Sequence, residues 1–432
     1  MPWRPRIRFR LLTLFIAVTA LAVGLSAIAN RAYRQRRAIE RLEQLGAAVF
    51  FDYQRIGTQG LVFDEKTELR CPDWARGGYG EEYFRKPLCV RVWDARLEDD
   101  DVRAIAAFGD LQRLGIYRCD LSAVDLRPLA RLKRLKELAI ESCTTGKTDL
   151  APLGRLTALE FFDLSETDVD DARLPDFSRL TAVERLTLDG THITGAGLGD
   201  LSRLTKIETV SLNNSPFNDA GMQALGSLPD VARLDLSNTA VTDDGLAHLA
   251  KLTSLKVLGL NDSAVGDRGL EHLAGLASLR SLELRDTRVT DHGLHFLESM
   301  TSLSGVDLAG TQIDGSGFRD VHSLPDGLAI LIRDTRVDDD GIVALSRLPQ
   351  IALLDLTGTR ITNEGLKSLG QMPGLESLSL VGTAIDDEGL QHLHGMAGLR
   401  SLTLDRPIVM RVAIDELCQA LPQCQVSYER AR

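Results

Sequence analysis

Residues 234–256 read LDLSNTAVTDDGLAHLAKLTSLK and combine two apolar periodicities. Leu234 and Leu236 alternate with period two, which predicts a short β-strand. Leu246 and Leu249 are three residues apart, and the next leucine follows after another three, which predicts an α-helix or a 3₁₀ turn. The segment therefore predicts one strand, one turn and one short helical element.

The same pattern recurs every 24 residues, and thirteen such units fill residues 90–401. The Leu236 position is aliphatic and the Leu249 position apolar in all thirteen. One local slip occurs at Pro325–Leu328, where Gly327 takes a leucine position. Length alone would suggest about three domains. A fixed period indicates instead one solenoid, in which neighbouring units cover each other's apolar faces.

The repeat predicts an α/β fold class. Strands of successive units should join into one parallel sheet, at about 4.8 Å per strand. Helices should lie on the other side, and because helices are wider than strands the stack should curve like a horseshoe. We therefore expect a parallel sheet on the concave side and helices on the convex side.

The Thr239 position carries Ser or Thr in ten of the thirteen units. Such hydroxyls can satisfy buried turn backbone, and we expect a ladder that links neighbouring units. A row of catalytic hydroxyls would need a base beside each nucleophile, which the repeat does not supply. Cys119 and Cys143 occupy the same position, and we expect buried free thiols there.

Two further positions of the repeat are polar or small. Asp243 and its equivalents precede the helical segment, where an aspartate is a favourable N-cap. Calcium binding along this row is the alternative, but the sequence lacks the ligand spacing of a calcium loop. Gly245 begins the dipeptide Gly-Leu in the quoted unit, and glycine holds this position from Gly197 to Gly389 without exception.

An uncharged stretch runs from Leu11 to Asn30, between Arg10 and Arg31. Twenty helical residues span about 30 Å, the thickness of the hydrocarbon core of a bilayer. The stretch predicts a single N-terminal transmembrane helix, and a cleaved signal peptide is the alternative. A ten-residue tail with four arginines is hard to translocate, so we expect the amino terminus in the cytoplasm and the repeats outside.

Charge is distributed unevenly along the chain. Residues 1–46 hold nine Arg and two acidic residues, a balance of +7, so the other residues carry −18 of the net −11. An acidic body argues against nucleic acid as a partner, because duplex binding needs clustered Lys and Arg. The basic segment favours contact of residues 1–37 with membrane lipid.

These observations predict six segments. We expect a basic tail (1–10), a transmembrane helix (11–30), a solvated juxtamembrane helix (31–45), an N-terminal cap (46–89), thirteen repeats (90–401) and a C-terminal cap (402–432). The alternation of Val49, Phe51 and Tyr53 predicts a strand in the first cap. In the last cap we expect a helix through Ile414, Leu417 and Leu421 and a strand at Gln425–Tyr428. Cap disulfides Cys71–Cys89 and Cys418–Cys424 are possible pairings if the domain is exported.

The pattern L-x-x-L-x-L-x-x-T-x-[VI]-T-D-x-G-L-x-x-L resembles a leucine-rich repeat, with Thr in place of the usual Asn. Cys119, Cys143 and the T-D-x-G-L turn are similar to the cysteine-containing, ribonuclease-inhibitor-like branch. The segments RIRFRLLTL (6–14) and GAAVFFDY (46–53) resemble bacterial membrane-anchored leucine-rich repeat proteins of the planctomycete type. The resemblance implies a single-pass protein with a recognition domain, and it implies no enzymatic activity.

Exposed strand positions are the predicted binding surface, because a solenoid offers an extended concave face. An aromatic patch and an acidic centre stand out there, with one arginine: Trp93, Tyr117, Phe161, Asp163, Asp189, Asp235, Glu283, Arg285 and Asp307. Alternatively, the aromatics contact the cap and the acids provide solubility.

The predicted function is recognition of another protein by a membrane-anchored repeat domain. A structural or surface-organising protein without a specific ligand is the alternative, and an adaptor for a separate signalling effector is a third reading. We expect no enzyme, no cofactor and no metal site, because the sequence has no phosphate-binding glycine loop, no G-x-S-x-G and no H-E-x-x-H.

Overall fold

The computed structural model describes residues 11–52, 55–56, 62–63, 86–405 and 411–429. The chain divides into two compact units, with the boundary between Phe162 and Asp163. The predicted basic tail, Tyr53 and Cys71 lie outside the described residues.

In the first unit, helix α1 (Leu11–Gln44) is continuous over 34 residues. Gly46 follows it with φ 79°, a left-handed conformation that ends helices and that glycine adopts without strain. Side chains from Leu14 to Asn30 are exposed. The segment Leu14–Gln44 is long and apolar enough to cross a membrane, with a mean hydropathy of 1.7 in its most apolar window. A signal sequence near an amino terminus has the same properties.

The second half of α1 is packed rather than solvated. Ala32, Ala38, Ile39 and Leu42 are buried, and the helix packs against α2 (Asp99–Ala106) of the first repeat. The expectation of a solvated juxtamembrane helix is therefore wrong. Apolar residues at spacings of three and four form a stripe, and the open end of a repeat stack offers an apolar surface that such a stripe covers.

The first unit contains strands β1 (Ala48–Phe51), β4 (Pro87–Trp93), β5 (Arg113–Tyr117) and β6 (Glu137–Glu141), with a separate hairpin of β2 (Arg55–Ile56) and β3 (Val62–Phe63). Strand β1 pairs antiparallel with β4, and β4, β5 and β6 are parallel. The predicted strand at Val49 is present. Phe50 and Phe51 are its buried residues, since the pairing register shifts between them. Two 3₁₀ helices, Arg127–Arg131 and Leu153–Arg155, follow β5 and β6.

Strand β7 (Phe161–Asp163) carries the boundary between the units. The strands of the second unit are parallel, and equivalent residues 24 apart are partners, as in Val210, Leu234 and Leu258. These strands are β8 (Arg185–Thr187), β9 (Thr209–Ser211), β10 (Arg233–Asp235), β11 (Val257–Gly259), β12 (Ser281–Glu283), β13 (Gly305–Asp307), β14 (Leu328–Leu331), β15 (Ile351–Asp355), β16 (Ser377–Ser379), β17 (Ser401–Asp405) and β18 (Gln425–Glu429).

Helical segments of the second unit are short, and both predicted types occur. The α-helices are α3 (Asp219–Leu225), α4 (Asp243–Leu246), α5 (Asp267–Leu273), α6 (Asp339–Leu345), α7 (Asn363–Leu369), α8 (Asp387–Leu390) and α9 (Arg411–Ala420). The 3₁₀ helices are Asp171–Phe177, Leu198–Leu201, Ala247–Lys251, Asp291–Ser299, Ser316–Arg319 and Gln391–Leu393.

The irregular parts of the repeat region and its last cap lie where the sequence predicts them. The slip at Gly327 appears as a shift in the pairing of β14 with β15 between Leu328 and Ala329, and Gly327 has φ 77°. At the other end, α9 buries Ile414, Leu417 and Leu421, and β18 pairs with β17. The predicted helix and strand of the last cap are both present.

One residue in each repeat adopts a left-handed conformation, which the sequence analysis missed. It lies directly before the Thr239 position, and Asn, Asp and Gly dominate it, as expected for φ near +50° to +70°. The thirteen residues are Asp94, Arg118, Ser142, Glu166, Gly190, Asn214, Asn238, Asp262, Asp286, Gly310, Asp334, Gly358 and Gly382.

The hydroxyls of the Thr239 position do not form the expected ladder between neighbouring repeats. Thr239 Oγ1 donates to the carbonyl of Leu236 in its own repeat, at 2.6 Å. Equivalent hydroxyls from Thr167 to Thr383 do the same. The left-handed residue turns the chain back, which brings the hydroxyl to the carbonyl three residues earlier. Among the described residues of this column, a link between repeats occurs only at the cysteines: the Cys119 amide donates to Cys143 Sγ at 3.3 Å.

Aspartates at the Asp243 position link neighbouring repeats instead. Asp219 accepts hydrogen bonds from the Thr242 amide at 2.9 Å and the Thr242 hydroxyl at 2.6 Å. Asp339 does the same with Thr362 and also accepts from the Gly365 amide at 3.0 Å. The N-cap prediction is wrong for these residues, because each is the first residue of its helix and the residue before it is the N-cap.

The predicted cap disulfides are not formed by the described cysteines: Cys89, Cys418 and Cys424 are free thiols, as are Cys119 and Cys143. Burial raises the pKa of Cys89 to about 11, so this thiol stays protonated at neutral pH.

Candidate functional site

Successive side chains of a β-strand point to opposite faces of the sheet. In β10, Leu234 is buried, whereas Arg233 is exposed and Asp235 is half-buried. We call the positions equivalent to Arg233, Asp235 and Ser237, whose side chains point away from the core, the strand face of the repeats. All nine predicted site residues lie on it.

Trp93 and Tyr117 form a stacked pair on the strand face of the first unit. Their ring centroids are 6.0 Å apart and the rings are inclined by 18°, because the two residues are register partners on β4 and β5. Gly115 lies beneath the Tyr117 ring, and a Cβ atom at that position would overlap it. The glycine therefore lets the tyrosine lie flat against the sheet.

A bidentate ion pair follows the two rings directly in the chain. Arg118 Nε and Nη2 donate to the two carboxylate oxygens of Asp94, both at 2.7 Å. These hydrogen bonds lower the pKa of Asp94. Asp94 and Arg118 are the left-handed residues of their repeats, and the pair is exposed to solvent.

Phe161 is separate from the aromatic pair. It lies at the start of β7, where its amide donates to the Lys136 carbonyl beside the first residue of β6. Tyr117 is the partner of Glu141 at the last residue of β6. Four strand residues span about 13 Å, so the predicted three-ring patch is a two-ring patch with a distant phenylalanine.

In the second unit, Asp163, Asp235 and Asp307 share the same strand position. Each carboxylate accepts a hydrogen bond from the amide two residues later, at 2.8–2.9 Å. These aspartates therefore close the turn after the strand, as Asx turns do. The Asp235 carboxylate also leans over Gly259 on the next strand, where a Cβ atom would overlap it.

Asp189 lies two residues further along its repeat, at the position of Ser237, and its side chain bridges to the next repeat. Its carboxylate accepts from the Ser211 hydroxyl at 2.5 Å and the Asn213 amide at 2.9 Å. Burial raises the pKa of Asp189, and repulsion from Asp235 and Asp163 adds to this effect. None of these three carboxylates takes part in the ion pairs found among the described residues.

Glu283 and Asp307 are register partners on β12 and β13. Glu283 accepts a hydrogen bond from the Asn261 amide group at 2.9 Å. Burial raises the pKa of Asp307, although Arg285 and Arg333 oppose this effect. Arg285 lies 3.4 Å from Asp286 and 3.9 Å from Asp262. This end of the acidic strip is therefore partly neutralised, whereas the end at Asp189 is not.

One column of the strand face, equivalent to Arg233, was represented among the predicted residues by Phe161 alone. It includes Arg113 and Glu137, whose side chains pair at 2.8 Å across β5 and β6. Gly115 and Gly259 lie inside strands, where glycine often marks a close approach of another group to the backbone. They were the available sequence signal that neighbouring side chains lie against the sheet. No group of three His, Cys, Asp or Glu side chains suited to a metal ion occurs among the described residues.

Comparisons with known proteins agree with this geometry. A family model described as "Leucine Rich repeat" matches residues 353–370. An internalin from Listeria monocytogenes has a similar structure, with 19% identity and a TM-score of 0.50, covering 80% of this chain and 87% of the internalin chain. A leucine-rich repeat protein of Leptospira interrogans is similar over 75% of this chain and 91% of its own, with 16% identity and a TM-score of 0.47. No curated protein matches the sequence.

The repeat pattern, the parallel strands and the match of residues 353–370 to this family model show that the chain has the fold of leucine-rich repeat proteins.

Proposed function

We propose that this protein is a single-pass membrane protein whose repeats bind a protein partner through the strand face. The observation that carries the proposal is the set of half-buried carboxylates at Asp163, Asp189 and Asp235. Burial disfavours the ionised form of Asp189, and repulsion from Asp235 and Asp163 adds to this effect. The three carboxylates lie on the strand face within four consecutive repeats.

The direction of the pKa shift supports this reading. A carboxyl group whose pKa is higher in the folded chain favours folding fully only below its unfolded pKa, and this contribution is lost as the pH rises through the folded pKa. Asp189 therefore opposes folding when it is ionised at neutral pH. Groups that lower stability in this way are concentrated at functional sites.

The partner's chemistry follows from the surface. An acidic strip attracts a basic partner surface, and electrostatic complementarity sets specificity and association rate. The stacked Trp93 and Tyr117 offer a rigid aromatic anchor of the kind that dominates binding energy at protein interfaces. Leucine-rich repeat proteins typically bind protein partners, and stacked repeats provide an extended surface for this purpose.

Helix α1 supports membrane anchoring. Its exposed apolar side chains from Leu14 to Asn30 need an apolar environment. Residues 1–37 would contact membrane lipid, the amino terminus would lie in the cytoplasm and the repeats outside. The uncleaved anchor is preferred over a signal peptide because the buried half of α1 continues the same helix without a break.

Binding through the strand face can be tested with charge-matched variants of the full chain. Asp163→Asn/Asp189→Asn/Asp235→Asn and Trp93→Ala/Tyr117→Ala are compared with wild type by quantitative cross-linking in the native membrane. The control Asp244→Asn/Glu271→Gln/Glu388→Gln removes the same charge from exposed helical positions. We expect the two strand-face variants to lose the cross-linked partners that the control retains.

Identical cross-linking profiles for all four proteins would contradict binding through the strand face. The absence of any specific cross-linked protein in wild type would favour a structural or surface-organising role.

A further inference from the structure

We infer that the cleft between α1 and the first two repeats binds the phosphate-bearing headgroup of an anionic phospholipid. The inference rests on the proposed membrane anchoring and goes beyond it, because it assigns a defined site that includes arginines of the repeats themselves. The cleft lies entirely within the first unit.

Positive charge dominates this cleft. Seven arginines and three acidic residues line it, although the protein as a whole has a net charge of −11. The arginines come from three separate elements: the second half of α1, helix α2, and the 3₁₀ helix Arg127–Arg131 with the turn after it. A run of basic residues along one solvated helix would not bring side chains from three elements together.

Four of the seven arginines are engaged in ion pairs. Arg31 and Arg134 both contact Asp110, at 3.0 and 2.5 Å. Arg41 contacts Asp101 at 2.6 Å, and Arg103 contacts Asp100 at 2.6 Å. The pairs of Arg31 and Arg41 join α1 to the first repeat, and the other two pairs lie within the repeats. Three arginines of the cleft remain outside these pairs.

Arg34, Arg37 and Arg131 form no ion pair with any described residue, and all three are exposed. Arg37 lies over the Tyr33 ring, 5.5 Å from its centroid, which orients its guanidinium. Three arginines with unused donors in one cleft suit a phosphate group, because guanidinium and phosphate form paired, charge-assisted hydrogen bonds.

The position of the cleft indicates a lipid rather than a soluble phosphate compound. Its lining extends to Ala27 and Asn30, the last turn of the uncharged stretch. Arg34 and Arg37 follow Asn30 by four and seven residues, about 6 and about 10 Å along the helix. A headgroup layer is about 5–8 Å deep on each side of the hydrocarbon core. The cleft therefore begins at the level of the phosphates of the bilayer.

Packing between α1 and the repeats keeps Arg131 in the cleft. Ala32, Ala38 and Leu42 bury the inner face of α1 against the repeats. The 3₁₀ helix that carries Arg131 packs against α2, so the packing of α2 on α1 sets the position of the Arg131 backbone relative to α1. A bound headgroup would link the membrane helix to the second repeat and restrict the angle between the repeats and the membrane.

The test uses the full chain in a non-ionic detergent and three probes: dihexanoyl phosphatidylglycerol, dihexanoyl phosphatidylcholine and inorganic phosphate. Native mass spectrometry and the thermal midpoint report binding. We expect phosphatidylglycerol to bind wild type about tenfold or more tightly than it binds Arg34→Gln/Arg37→Gln/Arg131→Gln, since three charge-assisted contacts are lost. The single variant Arg131→Gln, which leaves α1 intact, should show a smaller loss in the same direction.

Arg288→Gln/Arg336→Gln/Arg360→Gln is the matched control, because these three exposed arginines lie one or two repeats apart at one repeat position of the second unit. It should bind like wild type. Equal affinity of the triple cleft variant and wild type would overturn the site. Phosphatidylcholine binding as well as phosphatidylglycerol, or inorganic phosphate reproducing the full effect at equal concentration, would overturn the assignment to an anionic lipid headgroup.

Failure of the anchoring proposal is detected separately, by alkaline extraction of native membranes. A chain that alkali releases, but that still binds phosphatidylglycerol in detergent, contradicts anchoring and supports the cleft. A chain that resists extraction and discriminates between none of the lipids contradicts the cleft alone.

Discussion

At the scale of single residues, an aspartate of one repeat and a glycine of the next are coupled. The Asp219 carboxylate occupies the space that a Cβ atom at residue 245 would need, and Asp243 relates to Gly269, and Asp267 to Gly293, in the same way. Each carboxylate thereby reaches backbone amides at the start of the next helical segment. The glycine is required for the close approach, since none of these three glycines has a positive φ.

Gly245→Ala should destabilise the second unit by about 1–3 kcal/mol, because the added methyl group displaces the Asp219 carboxylate from its amide partner. Gly275→Ala is the control: no atom lies within 4 Å of its Cβ position, so its effect should be near zero or slightly stabilising. Chemical denaturation measures both.

A double-mutant cycle identifies the cause. In an Asp219→Ala background the same Gly245→Ala change should cost much less, because the carboxylate is gone. An undiminished cost there would mean that the glycine serves the helix backbone rather than the aspartate.

At the scale of elements, α1 is both the membrane-spanning candidate and the cap of the first repeat. Its buried face contacts α2, and Arg41 pairs with Asp101, which is fully buried. Asp101 also accepts from the Glu98 amide at 2.8 Å and closes a capping box at the start of α2. One buried carboxylate therefore joins the cap, the helix start and the first repeat.

Arg41→Ala should destabilise the first unit by about 2–4 kcal/mol, since it leaves the Asp101 charge buried without its partner. Hydrogen exchange of α2 and β4 in the detergent-solubilised chain should accelerate accordingly. Arg36→Ala, which removes the exposed pair with Glu40, should cost less than about 0.5 kcal/mol.

Asp101→Asn tests the mechanism. Combined with Arg41→Ala it should recover much of the lost stability, because no buried charge remains. Equal exchange rates in Arg41→Ala and Arg36→Ala would show that the Asp101 pair does not hold the cap.

At the scale of the whole molecule, the charges on either side of the uncharged stretch bear on its orientation. Four arginines precede Leu11 within ten residues, and four follow Asn30 within seven. This near balance makes the positive-inside count weak, but translocating the short basic tail is costly. The tail should therefore remain in the cytoplasm.

Protease added to intact cells should digest the repeats and leave an amino-terminal epitope tag protected until the membrane is opened. A cytoplasmic marker protein controls for leakage. Protection of the repeats with exposure of the tag would reverse the proposed orientation and exclude a partner outside the cell for the strand face.

Sequence periodicity was enough to predict the repeat fold. Each apolar position recurs in thirteen repeats, and the element that it predicts depends only on local spacing. The strand at the Leu234 position, the short helices, the slip at Gly327 and the last cap all follow from such spacing. Residues such as Trp93 and Tyr117 could be placed on one face for the same reason.

Contacts between neighbouring repeats were not accessible in this way. The partner of a threonine hydroxyl, the role of the Asp219 carboxylate and the separation of Phe161 from Tyr117 depend on backbone geometry across strands. Left-handed residues were visible as an Asn, Asp and Gly column, but the conformation that explains them belongs to the folded turn.

By itself, the sequence determined the class of fold, the apolar core positions and an amino-terminal helix suited to a membrane, because these depend on period and composition. Only the tertiary structure decided that residues after Asn30 pack as a cap, that Arg41 neutralises a buried aspartate, and that arginines from three elements share a cleft. The reason is physical: burial and pairing are properties of residues brought together in space, and spacing along one helix or strand does not specify its neighbour.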